Sequence, residues 1–101
     1  MIVEHALLNV KAGQEAAFEA AMREAAPLIA ASPGFLGIEV RPSCESSGLY
    51  LLLVQWRSLE DHDPGFRSSE RYQRWKALLH RFYEPFPTVG HFAAPVALSP
   101  H

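Results

Sequence analysis

Between Ile2 and Val10 the side chains fall into two alternating sets. Ala6, Leu8 and Val10 share one face, while Val3, His5 and Leu7 share the other; this is the period of a β-strand. Few of these positions are polar, so both faces are expected to be covered. After the turn Lys11-Ala12-Gly13, the pattern from Gln14 to about Ala31 changes to that of a helix, with Phe18, Met22, Ala25 and Ile29 on one stripe. Alanines between Ala16 and Ala26 favour the same state. Pro27 lacks an N–H and crowds the carbonyl four residues back, which predicts a kink or an early stop, and Ser32-Pro33-Gly34 ends the element.

Phe35 to Arg41 reads as a second strand and Leu49 to Arg57 as a third, joined as a hairpin by the polar turn around Cys44 to Gly48. The third strand is the most apolar segment of the chain. Tyr50, Leu52, Val54 and Trp56 lie on one face and Leu49, Leu51, Leu53 and Gln55 on the other, the pattern of a central strand buried on both sides. Ser58-Leu59-Glu60-Asp61 has the form of a helix start, and Pro64-Gly65 cuts that helix short. Ser68-Ser69-Glu70 starts another, running to about Tyr83 with Tyr72, Trp75, Leu79 and Phe82 inward, and Pro85 and Pro87 stop it. Thr88 to Phe92 is a last strand. The Pro- and Ala-rich tail Ala93–His101 is either an arm on a partner or loose.

The order is βαββαβ. Connection rules turn this into one α+β domain over residues 1–101, with a ferredoxin-like four-stranded antiparallel sheet and helices on one face. The other face, with Leu51 and Leu53, has no helix to cover it. An exposed apolar patch of that size is rare on a monomer, so a homodimer is expected. Two sheets packed across a twofold axis would form an eight-stranded dimeric α+β barrel and protect the sheet edges.

Composition narrows the function. The 101 residues carry a net charge of −2 with no basic run, which argues against nucleic acid as a partner. No apolar run approaches the ~20 residues of a membrane span, and Met1–His5 lacks the pattern of a secretory leader. With 49% hydrophobic residues and one cysteine, Cys44, in a polar turn without a nearby base, the expectation is a cytoplasmic protein with an inert thiol.

Three stretches carry a resemblance: Val10-Lys11-Ala12-Gly13-Gln14-Glu15 with Phe18; Ser32-Pro33-Gly34-Phe35; and Trp56-Arg57-Ser58-Leu59-Glu60-Asp61-His62. Together with Gly65–Trp75 and Leu78–Phe86, they resemble the antibiotic biosynthesis monooxygenase domain family of the dimeric α+β barrel superfamily. The resemblance runs from about Ile2 to Phe92. It implies a pocket between sheet and helices, a small phenolic, quinol-type or enolic aromatic substrate, O₂ as oxidant, and no cofactor: no flavin, haem or metal. Such chemistry needs an apolar pocket, a base and a donor for the developing oxyanion. Of the haem-degrading branch's pattern only the third-strand Trp is matched, by Trp56. The first-strand Asn position falls near His5 or Ala6, and the helical ligand position near Trp75 or Lys76.

Within that frame His62 is the base candidate, close to neutrality when unperturbed, with His80 as a second base. Arg67 is the anion stabiliser, and Trp56, Tyr72 and Tyr83 are aromatic walls. His5 and His91, on neighbouring first and last strands, complete the substrate-binding set. Each has a plainer rival: a surface His62 at a helix end, an Arg67 ion pair with Glu70 or Asp63, core packing for the aromatic residues, and hydrogen-bonded structural roles for His5 and His91. Histidine spacing offers no metal-site pattern. The rival functions are a non-catalytic small-molecule-binding or stress-associated dimer, and an isomerase or decarboxylase using the same base without O₂.

Overall fold

The computed structural model describes residues 1–99, in the order β1 (Ile2–Asn9), α1 (Glu15–Ala30), β2 (Phe35–Pro42), β3 (Leu49–Trp56), a short helical segment Asp61–Phe66, α2 (Glu70–Leu79), a single tight helical turn His80–Phe82 and β4 (Gly90–Phe92). The strands form one antiparallel sheet in the order β2-β3-β1-β4. This is the ferredoxin-like α+β arrangement that the alternation of periods implies.

The core lies between the sheet and the helices. Ala6 and Leu8 of β1 and Tyr50, Leu52, Val54 and Trp56 of β3 are buried against Phe18, Met22, Ala25 and Ile29 of α1 and Trp75 and Leu79 of α2. The α1 stripe is thus as the spacing predicts. The early stop at Pro27 does not occur: the helix continues to Ala30, so Ile29 still reaches the core, and Pro27 itself is exposed. An exposed proline costs its helix one hydrogen bond without placing its ring in the packed layer. The last strand is shorter than expected, three residues rather than five, because Thr88 and Val89 lie outside the ladder.

The opposite face is mixed. Leu7 is 47% exposed and Leu49, Leu51 and Leu53 are half-buried, but β2 contributes Glu39 and Arg41, which pair with each other at 3.1 Å. The expectation of apolar residues on both sides therefore holds for the central strands β1 and β3 and not for β2, an edge strand, where charge blunts the open ladder. Ala93–Ser99 is exposed and forms no strand or helix. Pro100 and His101, the rest of the predicted tail, lie outside the described residues.

Two local devices set the position of the site. Ser58 and Asp61 bond reciprocally at the start of the short helical segment: Asp61 Oδ2 accepts from the Ser58 N–H and hydroxyl, and Ser58 Oγ accepts from the Asp61 N–H. This is capping-box logic with an aspartate. The Asp61 side chain packs directly onto Gly34, whose φ of +81° and missing Cβ both suit glycine alone. At the other end of the cleft, Ser69 Oγ caps α2 by accepting from the Tyr72 N–H at 3.2 Å. Further on, the Lys11 and Glu84 N–H groups donate to Phe82 and Asn9 carbonyls, which ties Tyr83 to the end of β1.

Candidate active site

Period two along β1 places Glu4 in phase with Ala6 and Leu8, on the helix side, and it is 5% exposed. Trp56, fully buried at the end of β3, donates its indole N–H to Glu4 Oε1 at 3.0 Å. His62 comes from the short helical segment, which breaks at Asp63 (φ −135°, ψ 110°). Its ring stacks on Trp56, centroids 5.4 Å apart. His62 Nε2 is 3.4 Å from Glu4 Oε1, and Nδ1 is 2.8 Å from His91 Nε2. Glu4 and His91 are directly opposed in the β1–β4 ladder and so point to the same face. His62 lies over both.

Of this cluster, Glu4 and His62 form the floor of a cleft lined also by Arg67, Tyr72, Trp75, His80, Tyr83 and Phe86. The cleft is narrow, with a cavity volume of about 30 Å³. Arg67 is half-buried. Its Nε is buried without a hydrogen-bond partner, it forms no ion pair among the described residues, and its guanidinium carbon is 5.9 Å from the centre of the Tyr72 ring. His80 packs against Tyr72, Tyr83 and Phe86 through its ring, and its nitrogens have no hydrogen-bond partner among the described residues.

Electrostatics follow from this burial. Desolvation raises the Glu4 carboxyl above its usual range, against the Trp56 hydrogen bond and the Arg67 charge, which both lower it. Desolvation, then Arg67 and His91, brings His62 down to about 4. Desolvation, Lys76 and Arg67 bring His80 down to about 4 as well. Burial pushes the Tyr83 hydroxyl upward. At neutral pH both imidazoles are therefore uncharged, and Arg67 is the fixed cation whose field reaches Glu4, His62 and His80.

The antibiotic biosynthesis monooxygenase family model matches residues 1–78, which include Glu4, His62, Arg67 and Tyr72. The chain belongs to that family. It is similar to the uncharacterized protein YczJ of Bacillus subtilis (strain 168), with 53% identity over 92 residues, covering 91% of this chain and 97% of that protein. A Bordetella bronchiseptica protein carrying the same family designation is 33% identical, with a TM-score of 0.89 over 94% of this chain and 97% of that one. SnoaB, a cofactor-independent oxygenase from Streptomyces nogalater, shares the fold at 18% identity, with a TM-score of 0.82 over 99% and 97% of the two chains. Within this family member, the upper wall of the cleft (His80, Tyr83, Phe86) and His91, the partner of His62, come from beyond the matched residues.

The structure brings His62, Arg67, His80, Tyr72 and Tyr83 to one cleft. His62 is not on the surface, as its rival reading has it; at 2% exposure it is part of the floor. Trp56 does not line the cleft; Glu4 and His62, which contact its indole, do. His5 and His91 are on neighbouring strands but on opposite faces. His5 pairs with Gly90 and turns to the open side, its ring against Phe92 at 5.7 Å, while His91 joins His62. His5 therefore stands apart from His62 and His91, and the described residues contain no group of three or more His, Cys, Asp or Glu side chains arranged to hold a metal ion. Glu4 was missed, although its phase with Ala6 and Leu8 was the signal that could have found it.

Proposed function

We propose that the protein is a cofactor-independent monooxygenase acting on a small phenolic, quinol-type or enolic aromatic. The observation that carries this reading is the buried, unpartnered Nε of Arg67 in an aromatic-walled cleft whose floor holds Glu4 and His62 and whose upper wall holds His80. Glu4 Oε1 is engaged by Trp56 and His62, leaving Oε2 as the oxygen available to substrate. A buried carboxylate has enhanced proton affinity, so Glu4, backed by His62, takes the phenolic or enolic proton. Arg67 holds the resulting anion. The anion reduces O₂ directly, the peroxide anion so formed takes up a proton from solvent at the cleft, and loss of water from the resulting hydroperoxide leaves one oxygen atom in the product carbonyl and the other in water. His80, neutral and without a hydrogen-bond partner, is the second acid–base group.

Oxygen-electrode screening against hydroquinones and anthrone-like phenols tests this. Uptake by the wild type that falls about 10²–10⁴-fold in Glu4→Gln or His62→Ala, the usual scale of lost general base catalysis, is the expected result. No uptake with any member of the panel overturns it. The narrowness of the cleft favours a second reading, a non-catalytic small-molecule-binding dimer whose walls only pack. Under that reading, phenols bind without O₂ consumption. In both readings a second copy of the chain covers Leu7, Leu49, Leu51 and Leu53, and sedimentation as a single subunit at micromolar concentration would exclude it.

A further inference from the structure

His62 has neither ring nitrogen free for substrate: one faces Glu4 and the other is hydrogen-bonded to His91. An imidazole engaged at both nitrogens can accept a proton at one and release one from the other. The partners differ in surroundings. Glu4 is 5% exposed and lines the cleft, whereas His91 is only half-buried, on a three-residue strand at the edge of the sheet. We infer that Glu4, His62 and His91 form a proton conduit from the cleft floor to the sheet edge, with His91 as the outlet. This deepens the proposed oxygenase reading, since the proton carried is the one that substrate ionisation delivers to Glu4.

The transfer balances with one proton in and one out. With both rings neutral and protonated at Nδ1, the Glu4 carboxyl gives its proton to His62 Nε2. The Nδ1 proton of His62 passes to His91 Nε2, and His91 releases its own Nδ1 proton to solvent. The 2.8 Å step is a formed hydrogen bond; the 3.4 Å contact is not one, and rotation about the soft terminal torsion of the glutamate must bring the oxygen protonated at the substrate side, Oε2, round to His62 Nε2. The charged neighbours suit the task. Arg67 and Asp63 both act on His62 with opposite sign, and Trp56 holds Glu4 Oε1 in place. Burial disfavours a charged imidazolium, so the proton does not rest on His62. His91 is a positioning and relay residue: it does not line the cleft.

The test needs no substrate, so it stands apart from the oxygen-uptake screen. In protein labelled with ¹⁵N-histidine, a through-hydrogen-bond coupling between His62 Nδ1 and His91 Nε2 is expected, and its absence in the wild type overturns the inference. Exchange of the His62 ring proton with water, read by saturation transfer, should slow about tenfold or more in His91→Gln. Glutamine can bond to His62 but cannot pass a proton through itself, so a purely structural role for His91 predicts no slowing. In His91→Ala, added imidazole should restore the exchange. An unchanged exchange rate in His91→Gln, with the amide spectrum otherwise preserved, overturns the conduit.

Discussion

Strands β1 and β3 present Glu4, Ala6, Leu8, Tyr50, Leu52, Val54 and Trp56 to the helices, and Val3, His5, Leu7, Leu49, Leu51 and Leu53 to the other side. The covered face contains a carboxyl group and receives an imidazole from above, whereas the uncovered face of the same two strands is mostly aliphatic. Glu4, Trp56 and His62 are tolerable under the helices because each has a specific partner: indole N–H to carboxyl, imidazole to imidazole. Leucines on the open side have no such requirement and gain from any apolar cover. The contrast teaches that burial in this fold follows strand phase and partner supply, not residue polarity alone.

Removing the partner supply should break the covered face first. Trp56→Ala deletes a fully buried indole, the Glu4 hydrogen bond and the ring that His62 stacks on, and is expected to cost about 3–5 kcal/mol in urea unfolding. The next effect is a dependence on pH. His62 titrates near 4 when folded against 6.5 when free. Above 6.5 neither state is protonated and its contribution is complete. As pH falls from 6.5 toward 4 the unfolded chain takes up a proton that the folded one refuses, and stability should drop by up to about 3 kcal/mol. Glu4, raised by burial, has the opposite sign, its contribution fading as pH rises through its folded pKa. Comparing unfolding of the wild type and His62→Asn across this range isolates the histidine; equal slopes would remove it as the cause.

Trp56→Phe keeps an aromatic ring and removes only the donor to Glu4, so a loss of about 1–3 kcal/mol is expected, the usual penalty for a buried acceptor left unpaired. The smallest intrinsic effect belongs to the other face. Leu51→Gln should change the stability of the isolated chain by less than about 0.5 kcal/mol, as surface substitutions do. In the same variant, self-association should weaken measurably in sedimentation. If Leu51→Gln instead destabilises the chain as much as Trp56→Phe, the two faces are not as different as their packing implies.

Much of this was legible in the residues. The stripe Phe18, Met22, Ala25, Ile29 and the alternation in Leu49–Trp56 fixed the layers, because burial imposes its period directly on the chain. Pro27 misled because its consequence depends on which side of the helix it faces, and it faces solvent. The cleft was partly legible: His62, Arg67, His80, Tyr72 and Tyr83 stood out as chemistry-bearing residues near helix breaks. Their mutual arrangement was not. Placing His91 with His62, and His5 on the far side, requires the β1–β4 register, which three residues of strand hardly announce. Glu4 was overlooked because a carboxylate near a chain start reads as solvated unless its phase is followed from Ala6.

Gly34 shows how far from the cleft its geometry is decided. The carboxylate of Asp61 rests where any side chain at position 34 would go, and that same carboxylate organises the first turn of the segment bearing His62. Even an added methyl there would lever the turn outward and tilt the imidazole off its indole shelf. A bend outside the cleft is in this way a tolerance gauge for its whole floor, and its sequence freedom should be as narrow as that of the histidine it steadies.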